Sequence, residues 1–179
     1  VTNSADTPLK GLNFLLEAIA EIRKKQPIKL TVIGQPKKDG IIENLVAKLG
    51  VQDIVHFTGR IENEEFADYY AQATIAVVPS LYEGFGIPAA EAMASGVPLI
   101  STSGGALPEV VGDAGMIVPP ADAKALTGAI TYLLNAPDER KKYAQAGLHR
   151  VNSVFSWKKA AEEVVEVYRE AINGHRRFS

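Results

Sequence analysis

The chain has 179 residues, a hydrophobic fraction of 46% and a formal net charge of −2 at pH 7. These values fit one compact domain over residues 1–179 that buries its own core, and the balanced charge gives no electrostatic footprint for a nucleic-acid partner. The absence of cysteine excludes disulfides, thiol catalysis and cysteine-ligated metal, and it is compatible with a cytoplasmic location.

Strand and helix patterns alternate from the start of the chain to about residue 118. In chain order they predict a strand stub at 1–3, a helix at 12–25, a strand at 30–34, a helix at 41–49, a strand at 55–59, a helix at 64–72, a strand at 75–78, a helix at 88–95, a strand at 97–101, a helical turn at 107–111 and a strand at 116–118. Because the chain enters in mid-strand without an initiator methionine, we expect a longer parent protein.

Only helices are predicted after residue 121. One runs from Asp122 to about Asn135, another opens at Pro137, and the last runs from Ser156 to residue 172 with Ser156 as its N-cap. Trp157 is interpreted as the core anchor of that last helix. The predicted fold class is therefore α/β: a Rossmann-like doubly wound parallel sheet of about six strands, with helices on both faces and a helical C-terminus.

The most informative segment is Tyr82–Glu91, which follows the apolar run Ile75–Val78. Its glycines lead to Pro88 in the first turn of a helix, where the missing N–H is tolerated. A glycine-containing loop at a helix N-terminus presents free backbone N–H groups to an anion such as phosphate. Glu83 and Glu91 cannot bind an anion, but carboxylates accept hydrogen bonds from hydroxyl groups. The segment therefore predicts a nucleotide-sugar site.

A second candidate feature lies near the start of the first long helix. Asp6 or Thr7 is a plausible N-cap and Pro8 a first-turn proline, which places Lys10 in the first helical turn. A cation there opposes the helix dipole by about 0.3–1 kcal/mol, and Gly11 within a helix costs up to about 1 kcal/mol. Both features are explained if a phosphate docks there, and the alternative is a solvated lysine beside a loose helix start.

A rival interpretation treats Gly84–Ala89 as the dinucleotide fingerprint G-x-G-x-x-A. That fingerprint needs its first glycine directly after the strand, whereas residues 79–83 intervene here. It also needs an acid at the end of the next strand, which instead ends in Ser101-Thr102-Ser103. Nicotinamide-dependent redox chemistry is therefore disfavoured. Arg60, which follows another strand end, is interpreted as either a base or phosphate contact or an ordinary surface arginine.

Motifs spread over nearly the whole chain carry a resemblance to a known family. They are Pro8-Leu9-Lys10-Gly11, Gly34, Phe57-x-Gly59, Glu83-Gly84-Phe85-Gly86-x-Pro88-x-x-Glu91-Ala92-Met93-Ala94-x-Gly96-x-Pro98, Gly104-Gly105-x-x-Glu109-Val110, Gly115-x-x-Val118 and Phe155-Ser156-Trp157. In combination they resemble the C-terminal domain of a retaining GT-B glycosyltransferase of family 4, the glycosyl transferases group 1 type. The resemblance implies a nucleotide-diphosphate sugar as donor substrate, with no metal and no other cofactor required.

The resemblance also implies roles for individual residues. Lys10 would bind the donor diphosphate together with backbone N–H groups of Gly84–Ile87. Glu83 would contact hydroxyls of the transferred sugar, and Glu91 those of the ribose. The implied catalytic residues are Glu83 and Lys10, and the implied donor-binding residues are Lys10, Gly11, Gly34, Arg60, Ile61, Glu83, Gly84, Phe85, Gly86, Ile87 and Glu91.

The chain departs from the family pattern in two respects. Family members commonly carry an arginine about five residues before the lysine, but here Asn3-Ser4-Ala5-Asp6 occupies that region, and Ser4 is a candidate replacement. The acceptor-binding N-terminal domain is absent from the sequence, so we expect the domain to be inactive alone and any peripheral membrane association to run through the missing domain. The alternative is a binding-only or degenerate nucleotide-sugar domain with a sensing or assembly role.

Overall fold

The computed structural model describes residues 2–3, 7–62 and 64–175 of the chain. Its strands are β1 (Thr2–Asn3), β2 (Leu30–Ile33), β3 (Val55–Phe57), β4 (Ala76–Val78), β5 (Leu99–Thr102) and β6 (Met116–Val118). A short 3-10 helix, Pro8–Lys10, precedes the α-helices, which are α1 (Leu12–Ile22), α2 (Ile41–Leu49), α3 (Glu65–Ala71), α4 (Ile87–Ala94), α5 (Leu107–Val111), α6 (Ala123–Asn135), α7 (Pro137–Val154) and α8 (Trp157–His175).

The strands form two parallel sheets in the orders β1-β2-β3 and β4-β5-β6. β1 lies beside β4, although the described residues form no hydrogen-bonded ladder between the two sheets. Each sheet therefore builds outward from this junction, as in a doubly wound fold, and the predicted α/β class with a helical C-terminus is confirmed. Five strands have three or four residues, whereas β1 has only two.

Buried side chains alternate between the two faces of the β4-β5-β6 sheet. Val77 and Ile100 join a core cluster that includes the apolar face of α1 and α6, whereas Val78 and Leu99 join a cluster with α4 and α5. This alternation follows from the period of two residues in a strand, and it explains the helices on both faces of the sheet. Each fully buried leucine in these clusters contributes roughly 1.5–3 kcal/mol of transfer free energy.

The last helix departs from one prediction. Ser156 is the expected N-cap, because its Oγ accepts a hydrogen bond from the Lys159 N–H at 3.2 Å. The prediction that Trp157 anchors this helix in the core is wrong, since 92% of the residue is exposed. The amphipathic pattern predicted a helix correctly, but burying its apolar stripe needs an opposing surface, and no part of the described chain supplies one.

Candidate functional site

A cleft of about 360 Å³ brings together side chains from two segments that are distant in sequence. It lies where the loop after β4 turns into α4, at the carboxyl end of the strand, and its lining residues are Lys10, Glu83, Phe85, Gly86, Ile87, Pro88 and Glu91. A larger cleft of about 900 Å³ lies between α1 and α6 and contains none of the predicted site residues. The smaller cleft is the candidate site, because ligands of open α/β sheets bind outside the carboxyl ends of the strands.

Lys10 reaches this cleft from the end of the 3-10 helix and not from the first turn of α1 as predicted. Gly11 follows in the left-handed conformation at φ +65°, and only then does α1 begin. A Cβ on Gly11 would lie 2.0 Å from the Pro79 carbonyl oxygen, so packing against the end of β4 already requires glycine here. The Leu81 N–H donates to the Leu9 carbonyl at 2.7 Å, which fixes the lysine segment against the loop.

Glu83 is the best-connected side chain of the cleft. Its Oε1 accepts a hydrogen bond from the Lys10 ammonium at 2.6 Å and another from the Ser80 hydroxyl at 2.8 Å. The Lys10 and Glu83 side chains are 28% and 11% exposed, so this ion pair is screened less than a surface pair. The protein thus holds both groups in one arrangement without a ligand.

Glu91 lies in the second turn of α4 and differs from Glu83 in its surroundings. Its Oε2 is buried without a hydrogen-bond partner, although the residue as a whole is only half-buried. Burial raises the pKa of the Glu91 carboxyl above its ordinary value. The pKa of Tyr70 is also raised, mainly by burial and to a smaller extent by the Glu91 charge. The Tyr70 hydroxyl donates to the Pro88 carbonyl at 3.4 Å. Oε2 itself has no exposed surface, but Glu91 lines the cleft, and its carboxyl group can accept a hydrogen bond from a ligand hydroxyl there.

The loop between the two glutamates has both a rigid and an open part. Gly86 is the N-cap of α4 at φ +99°, and a Cβ on it would lie 2.7 Å from Leu107 Cδ2. In contrast, a Cβ on Gly84 would meet no atom within 4 Å, so packing does not require glycine there. The Phe85 ring packs edge-on against Phe155 with 5.7 Å between centroids. The described conformation leaves room for a ligand beside Gly84.

The remaining predicted residues lie outside the cleft lining. Gly34 and Gly59 form a bridge in which the Gly59 N–H donates to the Gly34 carbonyl at 3.2 Å, which joins the carboxyl ends of β2 and β3. Arg60 and Ile61 follow directly, with Arg60 exposed. These residues lie at strand ends as expected, and their proposed contacts with the donor stay predictions. Ser4 and Asp6 lie outside the described residues.

Sequence reasoning missed the residues that support Glu83 through hydrogen bonds. Ser80 is 2% exposed, and its backbone carbonyl accepts a hydrogen bond from the Thr102 hydroxyl. The Ala106 N–H donates to the Glu83 carbonyl at 2.9 Å, so the turn after β5 supports the glutamate backbone. The available signal was the polar side chain of Ser80 directly after a buried strand, which is a common place for a functional residue in this fold class.

The described residues contain neither a metal-ligating cluster nor a membrane-spanning helix. Within residues 2–3, 7–62 and 64–175, no group of three or more histidine, aspartate or glutamate side chains is placed to hold a metal ion. In the same residues, every helix is too short or too polar to cross a bilayer. The expectation that the donor binds without metal stays a prediction.

Comparisons with known proteins place the chain in a family. The model of the "Glycosyl transferases group 1" family matches residues 4–150. A curated relative, "MMP alpha-(1->4)-mannosyltransferase" of Mycolicibacterium hassiacum, is 44% identical over 172 residues, which cover 94% of this chain and 42% of the relative. The chain therefore spans less than half the length of that relative.

Two solved structures share the fold. The C-terminal domain of the glycosyl transferase group 1 family protein LpcC from Francisella tularensis superposes with a TM-score of 0.76 at 30% identity, over 88% of this chain and 84% of that one. Anabaena Alr3699/HepE, solved in complex with UDP, has a TM-score of 0.84 at 20% identity, over 94% of this chain and 48% of that one. The chain belongs to the glycosyl transferases group 1 family and has the Rossmann-like fold of a GT-B glycosyltransferase domain.

Proposed function

We propose that this chain is the donor-binding domain of a retaining glycosyltransferase and that it holds a nucleotide-diphosphate sugar in the Lys10–Glu91 cleft. A second, N-terminal domain would bind the acceptor, so the domain alone would be inactive in transfer. The 42% share of the curated relative's length supports a larger functional unit. A cytoplasmic location, metal-independent binding and any membrane association through the second domain belong to the same proposal.

The observation that carries the proposal is that one cleft is lined by Lys10, Glu83 and Glu91. A cation beside two carboxylates suits a ligand that carries both phosphate and hydroxyl groups, because the cation attracts phosphate and the carboxylates accept from hydroxyls. Ribose offers two adjacent hydroxyl groups, and the family resemblance assigns Glu91 to them. A donor that lacked hydroxyls at this position would leave the carboxylate unpaired and would bind more weakly.

Charge supports a position for the phosphate end of the donor. Among the described residues that line the cleft, Lys10 is the single cation, and it already donates to Glu83. The backbone N–H groups at the N-terminus of α4 supply neutral donors beside Lys10. The open space at Gly84 leaves room for the phosphates. A diphosphate between Lys10 and the start of α4 would therefore place its sugar near Glu83.

Isothermal titration calorimetry tests the proposal directly. The chain would be titrated with UDP, GDP and ADP, with their glucose or mannose esters, and with NAD. We expect saturable binding of one nucleoside diphosphate and its sugar ester, and none of NAD. Because a hydrogen bond to a charged group is worth about 1.5–3 kcal/mol, Glu91→Ala should weaken that binding about ten- to a hundredfold.

Glu109→Ala is the matched control. Glu109 is an exposed first-turn acid of α5 that does not line the cleft, so this variant should bind like the wild type. A folded wild type that binds none of the nucleotides would overturn the proposed function. Equal losses in the Glu91 and Glu109 variants would overturn the assigned role of Glu91.

A further inference from the structure

Ser80 is the only buried polar side chain among the described residues that contacts the Glu83 carboxylate. It lies just after β4, and its hydroxyl donates to Glu83 Oε1 at 2.8 Å. Lys10 donates to the same oxygen at 2.6 Å. Two donors on Oε1 leave Glu83 Oε2 as the oxygen free to accept from a ligand.

The Ser80 segment is itself fixed by the turn after β5. The Thr102 hydroxyl donates to the Ser80 carbonyl and accepts from the Gly104 N–H at 3.3 Å. A Cβ on Gly104 would lie 2.8 Å from the Ser80 carbonyl oxygen and 2.5 Å from that of Leu81, so the two backbones are in direct contact. Thr102 and Ser80 are both buried, which keeps water from competing for these hydrogen bonds.

We propose that Ser80 is a positioning residue that fixes the rotation of the Glu83 carboxylate, with Thr102 fixing Ser80 in turn. The inference rests on the proposed function, because it assigns Glu83 Oε2 to a hydroxyl of the transferred sugar. Lys10 would then bind the diphosphate, and the Glu83 carboxylate, oriented by Ser80, would accept a hydrogen bond from the sugar.

Loss of the Ser80 hydroxyl has a specific consequence. The carboxylate could then turn and offer both oxygens to the Lys10 ammonium, so its orientation toward the sugar would be lost. The diphosphate contacts would remain. The quantity that changes is the affinity ratio, defined as the dissociation constant of the nucleoside diphosphate divided by that of its sugar ester.

The test measures this affinity ratio by calorimetry for the wild type, Ser80→Ala and Ser101→Ala. Ser101 is a matched control, since it is fully buried on β5 and the one acceptor of its hydroxyl among the described residues is the Thr102 carbonyl, at 3.3 Å. For Ser80→Ala we expect the ratio to fall about two- to tenfold with little change for the nucleoside diphosphate, because misorientation weakens the sugar–carboxylate hydrogen bond without removing it. The Ser101 variant should keep the wild-type ratio.

Thr102→Val provides a second measurement if Ser80→Ala does not fold. It leaves the Ser80 hydroxyl in place but removes the hydrogen bond to its carbonyl, so the ratio should shift in the same direction by less. A wild type that binds neither ligand overturns the proposed function, and this inference with it. A wild type that binds both ligands, with an unchanged ratio in the folded Ser80 or Thr102 variant, overturns the inference alone.

Discussion

The two carboxyl groups of the cleft, at its opposite ends, differ in their hydrogen-bond partners. At one end, Glu83 has a cation and a buried hydroxyl on the same oxygen, and its backbone is tied to the turn after β5. At the other end, Glu91 has a buried oxygen without a partner and a pKa raised by burial. The protein supplies hydrogen-bond donors to the first group by itself, whereas a partner for the second carboxyl group would come from a ligand. A single cleft therefore combines a preorganised end with an end that depends on the ligand.

Removing Lys10 should break the preorganised end and produce the largest effect. Lys10→Ala deletes the only cation lining the described cleft and leaves the Glu83 charge to repel a diphosphate. We expect nucleoside diphosphate affinity to fall about a hundredfold or more, since the lost attraction to Lys10 and the repulsion by Glu83 both act against binding. Calorimetry on the variant measures this loss, and Lys124→Ala, an exposed lysine of α6, is the control. A Lys10 variant with wild-type affinity would contradict the assignment of the phosphate end.

Glu83→Gln sharpens the comparison because it removes a charge but keeps the shape of the side chain. Lys10 then loses its counterion and is fully available to a diphosphate, so affinity for the nucleoside diphosphate should stay equal or rise. The affinity ratio, the factor by which the sugar ester binds more tightly than the nucleoside diphosphate, should fall about tenfold, because a neutral acceptor replaces a charged one. Both values come from one calorimetric series. A parallel fall for the two ligands would argue against a sugar contact at Glu83.

Glu91→Gln tests the ligand-dependent end through stability and should give the smallest effect. Because the folded-state pKa of Glu91 is raised, the folded protein loses stability as pH rises from the ordinary value of 4.5 through the raised value. The amide does not titrate, so the variant should gain thermal stability over the wild type at pH 7 but not near pH 4. Because the Glu91 side chain is only partly buried, we expect less than ~1 kcal/mol, or under about 4 °C.

The melting temperatures of Glu91→Gln and the wild type, each measured at both pH values, give the comparison. Glu109→Gln controls for the loss of one surface charge. If the stability difference between Glu91→Gln and the wild type had the same size at both pH values, the raised pKa would not be its cause.

The fold could be predicted from the sequence to a large extent because its signals are local. The spacing of Leu12, Leu15, Leu16 and Ile19 predicts the buried face of α1, and these residues are buried as that spacing requires. The same holds for the cleft, since a glycine loop after a strand end places Glu83 and Glu91 on one edge of the sheet.

The features that could not be predicted from the sequence depend on contacts between distant parts of the chain. The need for glycine at Gly11 comes from the Pro79 carbonyl, which the sequence places 68 residues away. The Thr102–Ser80 hydrogen bond likewise joins residues 22 positions apart. Trp157 failed as a core prediction for a related reason: an apolar stripe shows that a helix could be covered, but not that a covering surface is present.

Exposure of Trp157 has an optical consequence. It is the only tryptophan of the chain, and 92% of it is exposed, so tryptophan emission comes from a solvated indole at the start of α8. Unfolding of the sheet and its two core clusters would change that emission little, whereas tyrosines such as the buried Tyr70 would report it. The indole is instead a site-specific fluorophore, whose spectrum should shift to shorter wavelength whenever any surface covers the first turn of α8.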